Sequence, residues 1–383
     1  MGDIRYHVGV QVNLSDLNNS SVGKDNIEKL KHLTNNLGDC YERSACPLPN
    51  TMNVERDSVE LFASWLHLSK EQCWGYIGGG STLGNLQGMW IGKTIYPNAT
   101  LILSQSAHYS IYKFANLIGF HKVKVVNTKY TGEIDVFDFS EKISNEREVV
   151  VVFTSGTTMT SAYDPIKECV NLLRDNCKKY YIHLDAALGG AITPFISMDE
   201  LQQDPSDFSF KNPDISSMTV SIHKVIGSPM PANIFIARKY IVDYFKCKVT
   251  SIPYLSNIKD VTIYGSRDGF RASVVHSRLI SLGQDTVREI VCKSITTCIY
   301  LLDEIKAIGL TSAFRVPGGL AVVIPLVQMK EKISKKDLEY IEGKYHLVKD
   351  NTYYHIYVMA HVDIILCNEI IFDLKMVLIQ PSG

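Results

Sequence analysis

Five short stretches of the chain carry side chains whose types and order could do chemistry together. Gly78-Gly79-Gly80-Ser81-Thr82 has little side-chain bulk and opens into a helix-compatible segment, 82–95. Its backbone N–H groups and the start of a helix would cradle a phosphate, with the Ser81 and Thr82 hydroxyls as further donors. An imidazole follows in Ser106-Ala107-His108-Tyr109-Ser110, then a hydroxyl-rich turn, Thr154-Ser155-Gly156-Thr157-Thr158. Asp185 ends one apolar run among small residues, and His223-Lys224 ends a later one.

Taken singly, these stretches read as a glycine turn, a structural histidine and a helix cap. A lysine closing a buried run is harder to dismiss, because an unpaired ammonium is costly to desolvate. One chemistry uses all five. Pyridoxal phosphate needs a lysine amine to hold it as a Schiff base, a carboxylate at its pyridine nitrogen, a phosphate cradle and a flat group against its ring. Lys224, Asp185, the Ser81-Thr82 loop and His108 would supply them. Asp185 would keep the ring nitrogen protonated, so that the ring takes up the electrons left when CO₂ departs. A partly desolvated Lys224 would have a lowered pKa and be a usable nucleophile.

The elements needed to hold these residues are legible as well. Apolar, β-branched runs at 100–103, 122–126, 149–153, 180–184, 218–222 and 233–237 alternate with helix-compatible segments, and residues 59–68 have helical spacing before the first glycine loop. That rhythm predicts an α/β fold with a mainly parallel central sheet covered by helices on both faces. In such sheets ligands sit beyond the carboxyl ends of the strands, where all five stretches fall. Past residue 285 the order changes to a helix over 286–308, an apolar run at 320–325, a charged segment over 330–345, a strand at 353–359 and a closing helix. The division predicted is an N-terminal arm (1–50, closing on Cys46-Pro47-Leu48-Pro49), a large cofactor-binding domain (51–285) and a small C-terminal α+β domain (286–383).

Composition narrows the partners. With 39 basic and 40 acidic groups among 383 residues, the net charge of −1 offers no electrostatic footprint for nucleic acid or an anionic membrane. No apolar run approaches the roughly 18 residues of a spanning helix. The nine scattered cysteines form no C-x-x-C pair, so a metal site is not expected and a reducing, cytoplasmic setting is.

The same residues resemble those of the group II pyridoxal-phosphate decarboxylases, most closely the branch holding bacterial histidine decarboxylases and plant serine and histidine decarboxylases. Trp74-Gly75-Tyr76-Ile77, Gly84-Asn85, His108-Tyr109-Ser110, Gly132-Glu133-Ile134-Asp135, Gly156-Thr157-Thr158, Asp185-Ala186-Ala187-Leu188, His223-Lys224 and Thr262-Ile263-Tyr264-Gly265-Ser266-Arg267 carry the likeness. It implies a fold type I, transferase-like architecture and decarboxylation of an L-amino acid to its amine, with histidine as the leading substrate. Serine or another amino acid, decarboxylation with deamination, transamination, or a non-catalytic binding protein are the alternatives.

The resemblance also assigns roles. Ser81, Thr82, Ser221 and His223 would hold phosphate, His108 and Ala187 would lie against the two ring faces, and Thr158 and Asp164 would lie below the cofactor. Tyr254 would belong to a mobile loop that helps protonate the α-carbon. Gly265 and Ser266, with Arg267, would reach the neighbouring subunit's site in a homodimer. The family's Ser-Gly-His-Lys reads Ser221-Ile222-His223-Lys224 here, and Pro317-Gly318-Gly319 stands where histidine decarboxylases often have a serine.

Overall fold

The computed structural model describes residues 4–15, 31–42 and 48–379, so the expected arm is seen only in part and Cys46-Pro47 lies outside the described residues. In chain order the strands are β1 (Asn35–Leu37), β2 (Cys73–Gly78), β3 (Thr100–Ser104), β4 (Val123–Val126), β5 (Glu148–Thr154), β6 (Lys179–Asp185), β7 (Ile215–Ser221), β8 (Asn233–Arg238), β9 (Ser266–Asp268), β10 (Ala321–Pro325), β11 (Val348–Lys349) and β12 (Tyr353–Tyr357). Seven of them form the central sheet in the order β2-β8-β7-β6-β5-β3-β4. The pairs from β7 through β4 are parallel, while β8 runs antiparallel to both of its neighbours.

The run Glu-Val-Val-Val-Val-Phe-Thr of β5 shows why the sheet must be covered twice. Val149, Val151 and Phe153 enter the core beneath the helices Met52–Trp65 and Ile166–Asn176. Val150 and Val152 enter a second core beneath the helices Ser81–Ile95 and Tyr109–Ile118. A strand apolar on both sides is stable only where both faces are dry. The helix Ser81–Ile95 lies close to its face of the sheet because its inward side carries Gly84, Gly88 and Gly92. A Cβ on these would stand 2.1 Å from Thr219 Oγ1, 2.2 Å from His183 Nδ1 and 2.8 Å from Tyr181 Cδ1.

Strand β2, in the sequence Cys-Trp-Gly-Tyr-Ile-Gly, is not among the runs expected from sequence. Its two glycines hide the β pattern, and Gly75 is needed because a Cβ there would meet Phe235 O at 2.1 Å. The helix expected over 286–308 is the second of two: the helical stretch Gly269–Ala307 is broken at Gly283, whose φ of 62° an L side chain rarely adopts, and the helix before that break was not expected from sequence. Beyond it β10-β12-β11 form an antiparallel sheet with its own apolar core, shared with the helix Ile364–Ile379.

The described part of the arm is bonded to both regions. Val8 joins the core of the C-terminal sheet, its carbonyl accepting from Tyr357 N at 2.7 Å, and Asn13 N donates to His223 O at 3.1 Å. Further along, β1 pairs with β9. There Arg267 forms a bidentate, almost fully buried ion pair with Glu55, Nε to Oε1 at 2.8 Å and Nη2 to Oε2 at 3.0 Å.

Candidate active site

The sheet brings five chain segments to one edge. Strands β3, β5, β6 and β7 end there, and the antiparallel β8 begins there, with Ser221 opposite Asn233 and Gly78 opposite the same Asn233. The glycine loop, His108, the 154–158 turn, Asp185 and Lys224 therefore converge although they are far apart in sequence. Ser81, Thr82, His108, Thr158, Asp185, Ala187, Ser221, His223 and Lys224 all line one cavity of about 240 Å³, together with Gly79, Gly80, Asn85, Thr154, Gly156 and Pro231. A larger, more open cleft of about 640 Å³ adjoins it, sharing His108 and Thr158 and bordered by Lys129, Tyr130 and Tyr353.

At one end the helix Ser81–Ile95 starts from Gly80, at φ 128°, with no side chain among the described residues capping it. Gly79 N and Gly80 N are held by Tyr264 OH at 2.7 Å and Asn233 Oδ1 at 2.9 Å. Ser221 Oγ and Thr219 Oγ1 donate to Ser81 Oγ at 2.8 and 3.2 Å. An uncapped helix N-terminus ringed by hydroxyls suits a phosphate. His223 stands beside it with Nδ1 3.0 Å from Ala232 O, and burial lowers its pKa.

At the other end Asp185 closes β6. Its Oδ1 accepts from Ala187 N at 3.2 Å and its Oδ2 from Asn85 Nδ2 at 2.8 Å. Lys224 follows β7, and its Nζ donates to Gln11 Oε1 at 2.6 Å. Burial pushes the Lys224 amine down to about 8, the Asp185 carboxylate acting in the opposite sense. His108 caps the helix Tyr109–Ile118: its Nδ1 accepts from Ser110 N and lies 2.7 Å from Ser110 Oγ, and burial lowers its pKa.

These residues fit pyridoxal phosphate. The hydroxyl-ringed helix start, a carboxylate with lone pairs to spare and a lysine with a depressed pKa occupy one cavity of suitable size. Thr154 Oγ1, in the cavity wall, is buried without a hydrogen-bond partner among the described residues, as expected of a donor set aside for a ligand.

Four of the expected site residues, Tyr254, Gly265, Ser266 and Asp164, do not line this cavity, and neither does Arg267, which is paired with Glu55. Tyr254, 86% exposed, sits in the turn Pro253–Leu255. Gly265 and Ser266 lie beside and within β9, where Ser266 Oγ accepts from Asn35 Nδ2 at 3.1 Å. Asp164 is buried instead behind the cavity, accepting from Thr154 N at 2.7 Å and Ile134 N at 3.0 Å, and burial raises its pKa to about 7. Sequence reasoning passed over Gln11, which carries no motif and reaches Lys224 only through the fold. It also passed over Asn85 as a site residue, although one helical turn separates it from Ser81.

Comparison with known proteins places this geometry. Residues 86–330 match the family model described as the pyridoxal-dependent decarboxylase conserved domain. The chain is 32% identical over 359 residues to a histidine decarboxylase of Acinetobacter baumannii (strain ACICU), covering 90% of this chain and 86% of that one. It is 34% identical over 306 residues to the histidine decarboxylase of Morganella morganii, covering 78% and 77%. Among solved structures it resembles L-methionine decarboxylase from Streptomyces sp.590, with a TM-score of 0.81 at 20% identity over 98% of this chain and 92% of that one. It also resembles the glutamate decarboxylase of Lactobacillus brevis CGMCC 1306, with a TM-score of 0.78 at 19% identity over 100% and 90%. The architecture is that of the fold type I, transferase-like enzymes.

Proposed function

The chain belongs to the pyridoxal-dependent decarboxylase family and uses pyridoxal 5′-phosphate to decarboxylate an amino acid, and we propose that this amino acid is L-histidine, released as its amine. The observation that carries the chemistry is the convergence of Lys224, Asp185 and the Ser81 helix start on one cavity. The substrate rests on the histidine decarboxylases that match most of the chain.

When bound, pyridoxal phosphate supplies an electron sink for the pair left behind as CO₂ departs. Lys224 supplies the anchoring amine, and burial keeps a usable fraction of it neutral near neutral pH. Asp185 holds the proton on the pyridine nitrogen. Ser81, Thr82, Ser221 and His223 bind the phosphate, His108 and Ala187 hold the ring between them, and Thr158 closes the floor. Substrate enters through the adjoining cleft past His108 and Thr158.

Tyr254 delivers a proton to the α-carbon after CO₂ loss, and Gly265 and Ser266 serve a partner's site. The assembly is a homodimer with shared active sites. Supporting this, all three residues lie outside the chain's own cavity and Tyr254 is almost fully exposed. We place residues 1–50 as the arm, 51–285 as the cofactor domain and 286–383 as the small domain. A cytoplasmic location accords with the free thiols of all described cysteines.

The test is a decarboxylation screen of the purified holoenzyme over the common amino acids, measuring CO₂, amine and aldehyde together. Histidine should be turned over at least about tenfold faster than any other, and Lys224→Ala should lose the visible cofactor band and all but a trace of turnover. Preference for serine or another amino acid would overturn the assignment of substrate. Light scattering that returns a monomer would overturn the shared site.

A further inference from the structure

A single buried chain of hydrogen bonds runs from Asp185 away from the cavity, through Asn85, His183 and Ser217 to Tyr181. Asn85 Nδ2 lies 2.8 Å from Asp185 Oδ2, and Asn85 Oδ1 lies 2.9 Å from His183 Nε2. His183 Nδ1 lies 2.8 Å from Ser217 Oγ, which lies 2.6 Å from Tyr181 OH. All five residues are buried.

Donor accounting fixes the direction of every link. A carboxylate accepts only, so Asn85 must turn its amide NH₂ toward Asp185, because the reverse orientation would set two acceptors against each other. The Asn85 carbonyl then faces His183, whose Nε2 must carry the ring hydrogen. That leaves Nδ1 as an acceptor, so Ser217 donates to it and accepts in turn from Tyr181. One tautomer of a neutral imidazole satisfies both ends, and burial alone drives the His183 pKa down to about 3, which keeps it neutral. Every proton in the chain points toward Asp185.

The surroundings keep this histidine packed in the core, away from the cavity. It is two residues before Asp185 on β6 and so on the same face of the sheet. It lies beneath Gly88, where any Cβ would stand 2.2 Å from its Nδ1, and its ring lies 6.1 Å from that of Phe235. It does not line the cavity.

We propose that His183, acting through Asn85, is a positioning residue for the decarboxylation: by donating to the Asn85 carbonyl it anchors the amide whose NH₂ donates to Asp185 Oδ2, and so fixes how the Asp185 carboxylate meets the pyridine nitrogen. The proposal rests on the reading of Asp185 as the partner of that nitrogen. A carboxylate held by a directed chain presents its remaining lone pairs in one orientation. A carboxylate beside an amide free to turn does not.

The test uses holoenzyme reconstituted with pyridoxal phosphate labelled with ¹⁵N in the ring, reading the nitrogen chemical shift alongside kcat and KM. Asp185→Asn should move the shift toward that of an unprotonated pyridine; an unmoved shift would remove the reading of Asp185 and the proposal with it. His183→Leu should move the shift in the same direction and lower kcat about 10- to 100-fold, with KM within about threefold. His183→Gln, whose amide can donate from near the Nε2 position, should recover most of both. If Asp185→Asn moves the shift but a folded His183→Leu keeps the wild-type shift and kcat, or if Gln behaves as Leu does, Asp185 stands and the positioning role falls. Should His183→Leu fail to fold, Ser217→Ala decides: it frees the tautomer while keeping the ring, so a displaced shift is expected and an unchanged one overturns the proposal.

Discussion

Gln11 Oε1 lies 2.6 Å from Lys224 Nζ, joining an arm residue to the lysine of the cavity. The Gln11 amide nitrogen in turn donates to Thr157 O and Thr158 O, both at 3.3 Å, so its carbonyl is aimed at the amine. An acceptor favours the charged form of an amine. Gln11→Ala should therefore lower the Lys224 pKa further and shift the pH midpoint of cofactor uptake by apoprotein downward. A midpoint that stays put or rises, followed by absorbance during reconstitution, would contradict the contact.

The wild-type profile has a defined shape. Burial brings Lys224 to about 8 from the usual 10.5, and only the neutral amine attacks the cofactor's aldehyde. Uptake should rise about tenfold per pH unit below 8 and level off above it, whereas an unperturbed lysine would keep gaining to about pH 10.5. Stopped-flow mixing of apoprotein with cofactor across pH 6.5 to 10 separates the two.

Arg267 should matter first for stability. Its guanidinium is paired with Glu55, which also accepts from Ile77 N and Asn36 Nδ2, and lies 5.1 Å from the Tyr76 ring centroid. Arg267→Met leaves a buried carboxylate without its cation and should cost about 3–5 kcal/mol in urea unfolding. Adding Glu55→Gln should return part of that loss. Purely additive losses would show that the two charges do not depend on each other.

Gly88→Ala gives an opposite result to the one helix propensity suggests. Alanine is favoured over glycine in a helix by about 1 kcal/mol, yet the new methyl would stand 2.2 Å from His183 Nδ1. Overpacking of about 1–3 kcal/mol should prevail. The variant should melt below wild type and hold cofactor less tightly, and a raised Tm would refute the close approach.

Much of this site was legible in the sequence because parallel strands place their ends on one edge. Once the runs ending at Ser104, Thr154, Asp185 and Ser221 are recognised, the residues following them must be neighbours. Lys224, Asp185 and His108 needed no coordinates for that. Strand β2 was hidden because its glycines serve close approach, Gly75 to Phe235 and Gly78 to Asn233 and Tyr264, which removes the very pattern that marks a strand. Gln11 was hidden for a different reason. Its neighbours in sequence say nothing of Lys224, and its place depends on contacts with Thr157, Thr158 and Tyr357 formed only in the folded chain. His183 was visible as the residue two before Asp185, but its tautomer, and hence its use, depends on Asn85 and Ser217. Tyr254, Gly265 and Ser266 were read from resemblance alone, and in the fold they lie outside the cavity that Lys224 lines.

The docking of the arm also sets an order of events as the protein is made. Gln11 meets Tyr357, and Gly9 O meets His355 Nε2, each pair 346 positions apart. Loops of that length close late, after local helices and neighbouring strands have assembled. While a ribosome is still adding β10, β11 and β12, the large sheet can already present Lys224, but without the carbonyl that steadies it. Maturation of the cofactor pocket thus has Gln11 waiting for Tyr357, made 346 residues after it.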